Sequence, residues 1–340
     1  MRFSIISLVG NDCRAVEQYF KDLKDQDSQD FEIILCVDKN SEAKNIFQVI
    51  SKYKKFFGQR LIVITNTKNN SYQQNLVSAF RIAEGDFVFV LNSDSNSKKY
   101  YVKKIGDLAL KYNVDVLEIK PRLVGSVRWK PEARITLNKP VQVTKNPEVI
   151  AFGYPFIFNK VFKKSLVKKL THYQVKSLND NKLAIELNYL LLLNATTYMY
   201  HDIRIFKEFY SPDIWLNTKN ALLAFEEIKK YAESRGWDFN KELDYACYYY
   251  LKIVHYGLLT GTTFVYRTWK SKDEIEEKRS STFISRHIKT LEKFEASNEF
   301  RDLQSKNPYF GSSKKEVNLL KEPISKLKKN KKKWTLSELE

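Results

Sequence analysis

The sequence predicts an α/β fold followed by a helical region. Three observations carry that prediction. In the first half, short runs rich in Val, Ile and Phe alternate with stretches whose apolar residues recur at helical spacing. After about residue 205 the helical period takes over. Gly and Pro are scarce, 10 and 8 among 340 residues, which argues against collagen-like, propeller and low-complexity architectures.

The strand-like runs are Phe3–Val9, Phe31–Val37, Arg60–Ile64, Asp86–Leu91 and Val114–Ile119, each too short for a helix. Between them, Ala15–Leu23 places Val16, Tyr19, Phe20 and Leu23 on one face. Ala43–Tyr53 does the same with Ile46, Phe47 and Ile50, and Gln74–Ala83 with Leu76, Ala79, Phe80 and Ala83. Such an alternation builds a largely parallel sheet flanked by helices. Farther on, Ala221–Ala232 reads as a helix stopped by Gly236, and Asn240 is a candidate cap for a helix through Leu243, Cys247, Leu251 and Val254. Ser271 and Glu274 form a capping box for another. The run Lys160–Leu170 sets Val161, Phe162, Leu166, Val167 and Leu170 among five lysines. It reads either as a basic amphipathic helix for a membrane surface or as a helix packed on the sheet with a solvated lysine face.

Composition bounds the function. Hydrophobic residues make up 43% and charged residues 29%, enough for a sizeable core and too apolar for a disordered chain. The net charge of +18 suits anionic partners: nucleic acid, anionic membrane or phosphorylated ligands. Three widely spaced cysteines (Cys13, Cys36, Cys247) exclude a zinc ribbon or a disulfide framework and fit a reducing, cytoplasmic setting. Phe3–Val9 is only a strand long and has no small-residue cleavage site, so no signal peptide is read. The uncharged stretch Leu187–Tyr200 falls short of the roughly 20 apolar residues that span a bilayer, so a soluble or peripheral protein is expected.

In parallel sheets ligands bind beyond the carboxyl ends of the strands. The second run ends in Asp38 and the fourth in Asn92-Ser93-Asp94. One carboxylate at a strand end is often a cap or turn former. Two on one βαβαβ unit converge on a single crevice and suit a nucleotide, one meeting base or ribose and the other holding a divalent cation on phosphate. Neither GxGxxG nor GxxxxGK[ST] occurs, so phosphate has to be met by metal and side chains.

At this point the sequence resembles the inverting family 2 glycosyltransferases of the GT-A fold. Phe3–Asn11 (FSIISLVGN) is similar to the family's opening strand, and Phe31–Ser41 (FEIILCVDKNS) to its E-I-I-x-V-D-D-G-S segment. Asn75 followed by Ala83–Asp94 (AEGDFVFVLNSD) resembles A-x-G-D-Y-I-x-F-L-D-x-D, and Pro155–Val167 (PFIFNKVFKKSLV) resembles W-N-K-L-F-K-R-S. Lys182–Tyr200 is similar to the stretch that opens with the catalytic Glu-Asp pair. The resemblance covers roughly residues 1–205. It implies nucleotide-sugar binding by Asp38, Asn75, Asn92 and Asp94, Mg²⁺ or Mn²⁺ on Asp94, and Glu186 as the base. Three positions depart from the pattern: Lys39 for the second Asp, Asn92 for the first Asp of D-x-D, and Leu187 for the Asp of the pair. A buried Glu186 would have a raised pKa and serve better as a base; the plain alternatives are a solvated helix glutamate there and Asp180 as the base. Length, basic charge and lysine-rich tail further resemble mycoplasma-type diacylglycerol glycosyltransferases.

Trp129, Tyr154 and Tyr210 are candidates to stack on sugar or acceptor, against the commoner role of such rings as core. His201 is the best placed histidine for a further metal ligand. Lys326, Lys328, Lys329, Lys331, Lys332 and Lys333, followed by Trp334, form a polybasic candidate membrane contact. The expected organisation is a GT-A domain over 1–205, a helical acceptor-side region over 206–320 and a basic tail over 321–340. The expected function is transfer of glucose or galactose from a UDP-sugar to diacylglycerol or a glycosyl-diacylglycerol, by a protein peripheral on the cytoplasmic membrane face. A cell-surface polysaccharide or polyprenyl-linked acceptor is the alternative enzyme reading. A non-enzymatic nucleic-acid-binding protein is the alternative class, although no RRM, KH or helix-turn-helix signature appears.

Overall fold

The computed structural model describes residues 2–10, 12–38, 42–67, 71–125, 127–135, 139–176, 182–210, 216–261, 270–329 and 335–340. Two compact units emerge. The first gathers residues 1–122, 136–146 and 156–209, and the second residues 123–135, 147–155 and 210–340.

The strands are β1 (Phe3–Leu8), β2 (Phe31–Val37), β3 (Leu61–Thr65), β4 (Phe87–Val90), β5 (Asn96–Ser97), β6 (Val116–Ile119), β7 (Leu123–Gly125), β8 (Val141–Gln142), β9 (Lys160–Lys163), β10 (Thr197–His201) and β11 (Phe206–Tyr210). In the first unit eight of them form one sheet in the order β3-β2-β1-β4-β9-β6-β10-β8. β1 runs parallel to both β2 and β4, β2 to β3, and β6 to β10. β9 is antiparallel to β4 and β6, and β8 to β10. Helices α1 (Cys13–Lys24), α2 (Ala43–Phe57), α3 (Tyr72–Ile82) and α4 (Tyr101–Tyr112) occupy the connections. β1, β2, β4 and β6 are buried almost throughout, as expected of strands covered on both faces. All five expected strands are present within one or two residues of their expected ends, and the three expected helices between them are present, α2 running four residues past its expected end at Tyr53.

Two expectations fail in this unit. Lys160–Leu170 is not one amphipathic helix: it begins as β9, inserted between β4 and β6, and only then turns into α6 (Lys164–Val167) and a 3₁₀ turn. Lys160 lies wholly buried in the sheet, its Nζ 3.4 Å from Glu118 and bonded to the Phe156 carbonyl and the Asn159 side chain. Lys164, Lys168 and Lys169 end on Glu84, the Arg81 carbonyl and the Asn194 carbonyl. A lysine carried into a sheet keeps its charge only with such partners. The second failure is Phe206–Tyr210, expected at the start of the helical region, which is strand β11 paired antiparallel to β5.

Gly85 has a specific reason to be glycine. A Cβ there would stand 2.4 Å from the backbone of Phe3 and Ser4. Its amide donates to Ser4 Oγ, and the buried Glu32 carboxylate also accepts from Ser4 and from the amide of Glu84. The turn into β4 is thereby tied to β1 and β2. α7 (Ile185–Asn194) is apolar on all sides and buried from Ile185 to Leu193, the pattern of a helix inside a core rather than on it. Among the described residues no helix is long and apolar enough to cross a membrane.

The second unit is helical after β7: α5 (Glu148–Phe152), α8 (Thr218–Ser234), α9 (Asn240–Tyr249), α10 (Tyr256–Gly261), α11 (Lys270–Glu295), α12 (Asn298–Lys306), α13 (Lys315–Lys321) and α14 (Ile324–Lys329). Gly236 follows α8 in the left-handed region at φ 70°, as its stop requires. Asn240 is the first residue of α9 rather than its cap; Phe239 takes the cap position with no side-chain bond. The side chains of Ser271 and Glu274 lie outside the described residues. The unit buries a histidine pair, His255 and His287, with ring centroids 4.7 Å apart. His287 Nε2 meets the Leu251 carbonyl and Nδ1 the Thr218 hydroxyl, while the Tyr250 hydroxyl is 3.3 Å from His255 Nδ1. Burial holds His287 down at about 4, and burial together with His287 pushes His255 well below the ordinary range.

This pair predicts a pH dependence. The unfolded chain takes up protons near the usual histidine pKa of about 6.5, whereas the folded pair resists them. Stability is therefore full above about pH 6.5 and falls as the pH drops toward 4. In urea titrations from about pH 7 down to about pH 5, His255→Phe should lose less stability than the natural chain. Identical pH slopes for the two would show that the pair does not couple to unfolding.

Candidate active site

The carboxyl ends of the parallel strands carry two connected clusters. Asp38 follows β2 directly, Asn66 follows β3, and Asn75 lies in the first turns of α3, whose cap Ser71 accepts the Gln74 amide. Asn66 Nδ2 donates to Asp38 Oδ1 at 2.7 Å and lies 2.8 Å from Asn75 Oδ1. Asn75 Nδ2 reaches both oxygens of Asp38, at 3.2 and 3.3 Å. Two amides thus fix one part-buried carboxylate at the mouth of the sheet. The structure brings Asp38 and Asn75 together; Asn66 was not anticipated, although its place one residue past β3 is the same signal that singled out Asp38.

The second cluster forms after β4. Asn92 is buried; the Tyr72 hydroxyl donates to its Oδ1 at 2.7 Å, and its own amide donates to Glu208 Oε1 at 2.8 Å. Ser95 donates to the other Glu208 oxygen. Lys182 Nζ is 3.0 Å from Glu208 Oε1 and 3.1 Å from Asp94 Oδ2. Glu208 has no exposed surface, whereas the Asp94 side chain is 39% exposed. Burial raises the Glu208 pKa against the pull of Lys182. Burial works against the Lys182 ammonium, but Glu208 and Asp94 outweigh it and raise its pKa. Sequence reading missed both residues. The signal for Glu208 was a lone carboxylate on the Phe206 and Tyr210 face of an aromatic alternation.

Glu186 lies in the first turn of α7, which opens at Ala184 in the left-handed region at φ 49°. Its side chain is fully buried, so the solvated-helix alternative does not hold. Glu186 Oε1 accepts from the Tyr173 hydroxyl at 2.7 Å and the Lys176 amide at 2.9 Å. Next to it, the Leu187 amide donates to Gln73 Oε1, from α3, at 2.8 Å. The helix that carries Glu186 is therefore stitched to the helix that carries Asn75. Asp180 lies outside the described residues.

Of the aromatic candidates, Trp129 and Tyr154 are core residues of the second unit, edge to face with centroids 6.5 Å apart. They border a cavity of about 130 Å³ shared with Arg134, Tyr249 and Lys314. Its buried cation is spent internally: Arg134 is bidentate to Glu316 and bonds the Ala151 and Gly153 carbonyls. The Tyr210 side chain is outside the described residues, as are the side chains of Lys328 and Lys329 and all of Lys331, Lys332, Lys333 and Trp334; Lys326 is exposed on α14. His201 ends β10 against the Tyr112 ring, and burial and then Lys104 lower its pKa.

The donor set does not fit a resident Mg²⁺ or Mn²⁺ as expected at Asp94. A divalent ion there would share Asp94 with the ammonium of Lys182, and the second carboxylate, Glu208, has both oxygens engaged. Among the described residues no three His, Cys, Asp or Glu side chains are grouped to hold a metal.

Comparison with known proteins fits this geometry. Residues 4–171 match the Glycosyl transferase family 2 model, so the chain carries a family 2 glycosyltransferase domain. The match bears out the expectation of a glycosyltransferase. Two curated Staphylococcus aureus proteins, from strains Mu50 and MW2, are each named poly(ribitol-phosphate) beta-N-acetylglucosaminyltransferase TarS and are 24% identical over 210 residues, 59% of this chain. The chain matches only about a third, 35%, of the length of these relatives. Among solved structures, S. aureus TarS 1-349 in complex with UDP covers 97% of this chain and 92% of its own, with TM-score 0.61 at 17% identity. The same fragment in complex with UDP-GlcNAc covers 94% and 84%, with TM-score 0.56 at 16% identity. The mannosyltransferase PcManGT from Pyrobaculum calidifontis, in complex with GDP-Man and Mn²⁺, covers 94% and 85%, with TM-score 0.50 at 11% identity. At these identities the likeness establishes the GT-A fold.

The second cluster yields a prediction. Asn92→Asp sets a carboxylate where an amide now donates to Glu208 at 2.8 Å. It should cost about 1–3 kcal/mol near neutral pH. The double variant with Glu208→Gln should regain part of the loss. An unchanged urea midpoint in the single variant would show that Glu208 does not depend on the Asn92 amide.

Proposed function

We propose that this family 2 glycosyltransferase domain binds a UDP-sugar at the strand ends and transfers the sugar, with inversion, to a hydroxyl of a phosphate-bearing cell-surface polymer. The observation that carries the donor part is the Asp38–Asn66–Asn75 network beside Asn92 and Asp94. All five residues lie at the carboxyl edge of parallel strands or in the adjoining helix turn, where nucleotides bind. The Asp38 carboxylate, held by two amides, accepts N–H or O–H donors of base or ribose. UDP and UDP-GlcNAc in the structural neighbours support a uridine donor. For the sugar itself, glucose, galactose and N-acetylglucosamine are the candidates.

Transfer needs an acceptor oxygen opposite the leaving group and a base to take its proton. We assign the base to Glu186. The acceptor O–H proton passes to its carboxylate, the new bond forms at the sugar's anomeric carbon, and the bond from that carbon to the diphosphate breaks, releasing UDP. Tyr173 and the Lys176 amide hold the carboxylate in one orientation. The polymer acceptor rests on the TarS relatives and on the net charge of +18, which favours an anionic partner. A second reading is a diacylglycerol-type acceptor at the cytoplasmic membrane face. It is favoured by six lysines between Lys326 and Lys333 followed by Trp334, a sequence suited to an anionic leaflet.

Two measurements test these assignments. Radiolabelled UDP-glucose, UDP-galactose and UDP-GlcNAc, offered with poly(ribitol phosphate) or with diacylglycerol in anionic vesicles, should give a labelled polymer; label in the lipid alone would favour the second reading. Glu186→Gln keeps shape but loses the basic oxygen, so UDP binding should survive while kcat falls by about 10²–10⁴. Turnover within a few-fold of the natural chain would remove Glu186 as the base.

A further inference from the structure

A departing nucleoside diphosphate develops negative charge that a cation must meet. The strand-end site already contains one. Lys182 Nζ stands between Asp94 and Glu208, 3.1 and 3.0 Å from their oxygens, with its side chain only 10% exposed. The two carboxylates play unequal parts. Glu208 is buried and itself held by Asn92 and Ser95, so it cannot leave the ammonium without stranding a charge out of water. Asp94 is on the solvent side and can exchange its place for another anion. Asn92 fits the same logic: its amide donates to Glu208, so this position adds no third negative charge. A divalent ion ligated by Asp94 would sit beside the ammonium, and like charges that close repel strongly.

We propose that the Lys182 ammonium is the built-in cation for the donor's diphosphate, anchored by Glu208 and exchanging Asp94 for a phosphate oxygen on binding. This rests on the reading of the domain as a nucleoside diphosphate-sugar site. Lys182 then supplies as a side chain the charge neutralisation that a bound metal would supply, and donor binding does not require a divalent ion.

The test is calorimetric binding of UDP and of uridine to the full chain, in EDTA and in Mg²⁺ or Mn²⁺. The natural chain should bind UDP in EDTA within about three-fold of its affinity with metal. Lys182→Gln should weaken UDP about ten-fold or more, the worth of a charged hydrogen bond, and leave uridine unchanged; Lys182→Arg should restore most of the loss. The uridine arm also reports that the variant is folded. UDP binding that EDTA abolishes and Mn²⁺ restores would overturn the assignment while leaving the donor reading intact. So would a Lys182→Gln variant that loses UDP and uridine alike, or neither. If the natural chain binds no UDP and no uridine under any of these conditions, the donor reading fails and this inference fails with it.

Discussion

A carboxylate taken wholly out of water has to be surrounded by donors, and the strand-end site is organised around that requirement at Glu208. On strand β11, its two oxygens receive Asn92 and Ser95 from the loop after β4 and Lys182 from the approach to α7, all distant from it in sequence. Asn92 and Lys182 are each engaged elsewhere as well. Asn92 carries the Tyr72 hydroxyl, which ties the end of β4 to the start of α3. Lys182 carries Asp94. The loop after β4 is also held by its backbone, the Ser95 amide donating to the Asn92 carbonyl and the Ser93 amide to the Leu8 carbonyl, so the buried charge fixes its side chains more than its path.

The central sheet could be read in advance because a strand buried on both faces must be apolar along its whole length, and β1, β2, β4 and β6 are nearly so. Asp38 could be read for a related reason, whereas Asn75 was found by resemblance. Position relative to a strand end is a local property, and the parallel arrangement turns it into proximity. Glu186 was found by resemblance, and its burial follows from a helix that is apolar on every side.

What escaped sequence reading depends on pairing across the chain. Lys160–Lys163 has the composition of a helix face, and only the insertion of β9 between β4 and β6 makes it a strand. Its lysine is tolerated because Glu118 on β6 lies within 3.4 Å, a partner 42 residues away along the chain that periodicity cannot supply. The same holds for Lys182 and Glu208, each ordinary when read alone. Trp129 and Tyr154 illustrate the opposite error: residues singled out for their surface chemistry serve as core, because large aromatic rings gain more from burial than from exposure.

The charge of the chain has to be read in the same way. Many of its lysines are spent inside the fold. Lys160 neutralises Glu118, Lys164 and Lys168 tie the β9–α6 segment to the end of α3, and Lys252 reaches Glu295 and the Leu320 carbonyl in the second unit. A lysine paired with a carboxylate cancels in the sum, so the net charge of +18 is carried by the cations that exceed the carboxylates. The lysines left in water are the ones that count. On α4, Lys103, Lys104 and Lys111 line a shallow groove with the exposed Tyr100 ring, and Asp27 and Asp107 lie in the same groove. Even there the cations are partly offset by their neighbours, Lys103 being 3.7 Å from Asp107. In the donor site proposed above Lys182 adds to this excess, because an ammonium fixed between two carboxylates has already lost the freedom that a surface lysine must give up on binding.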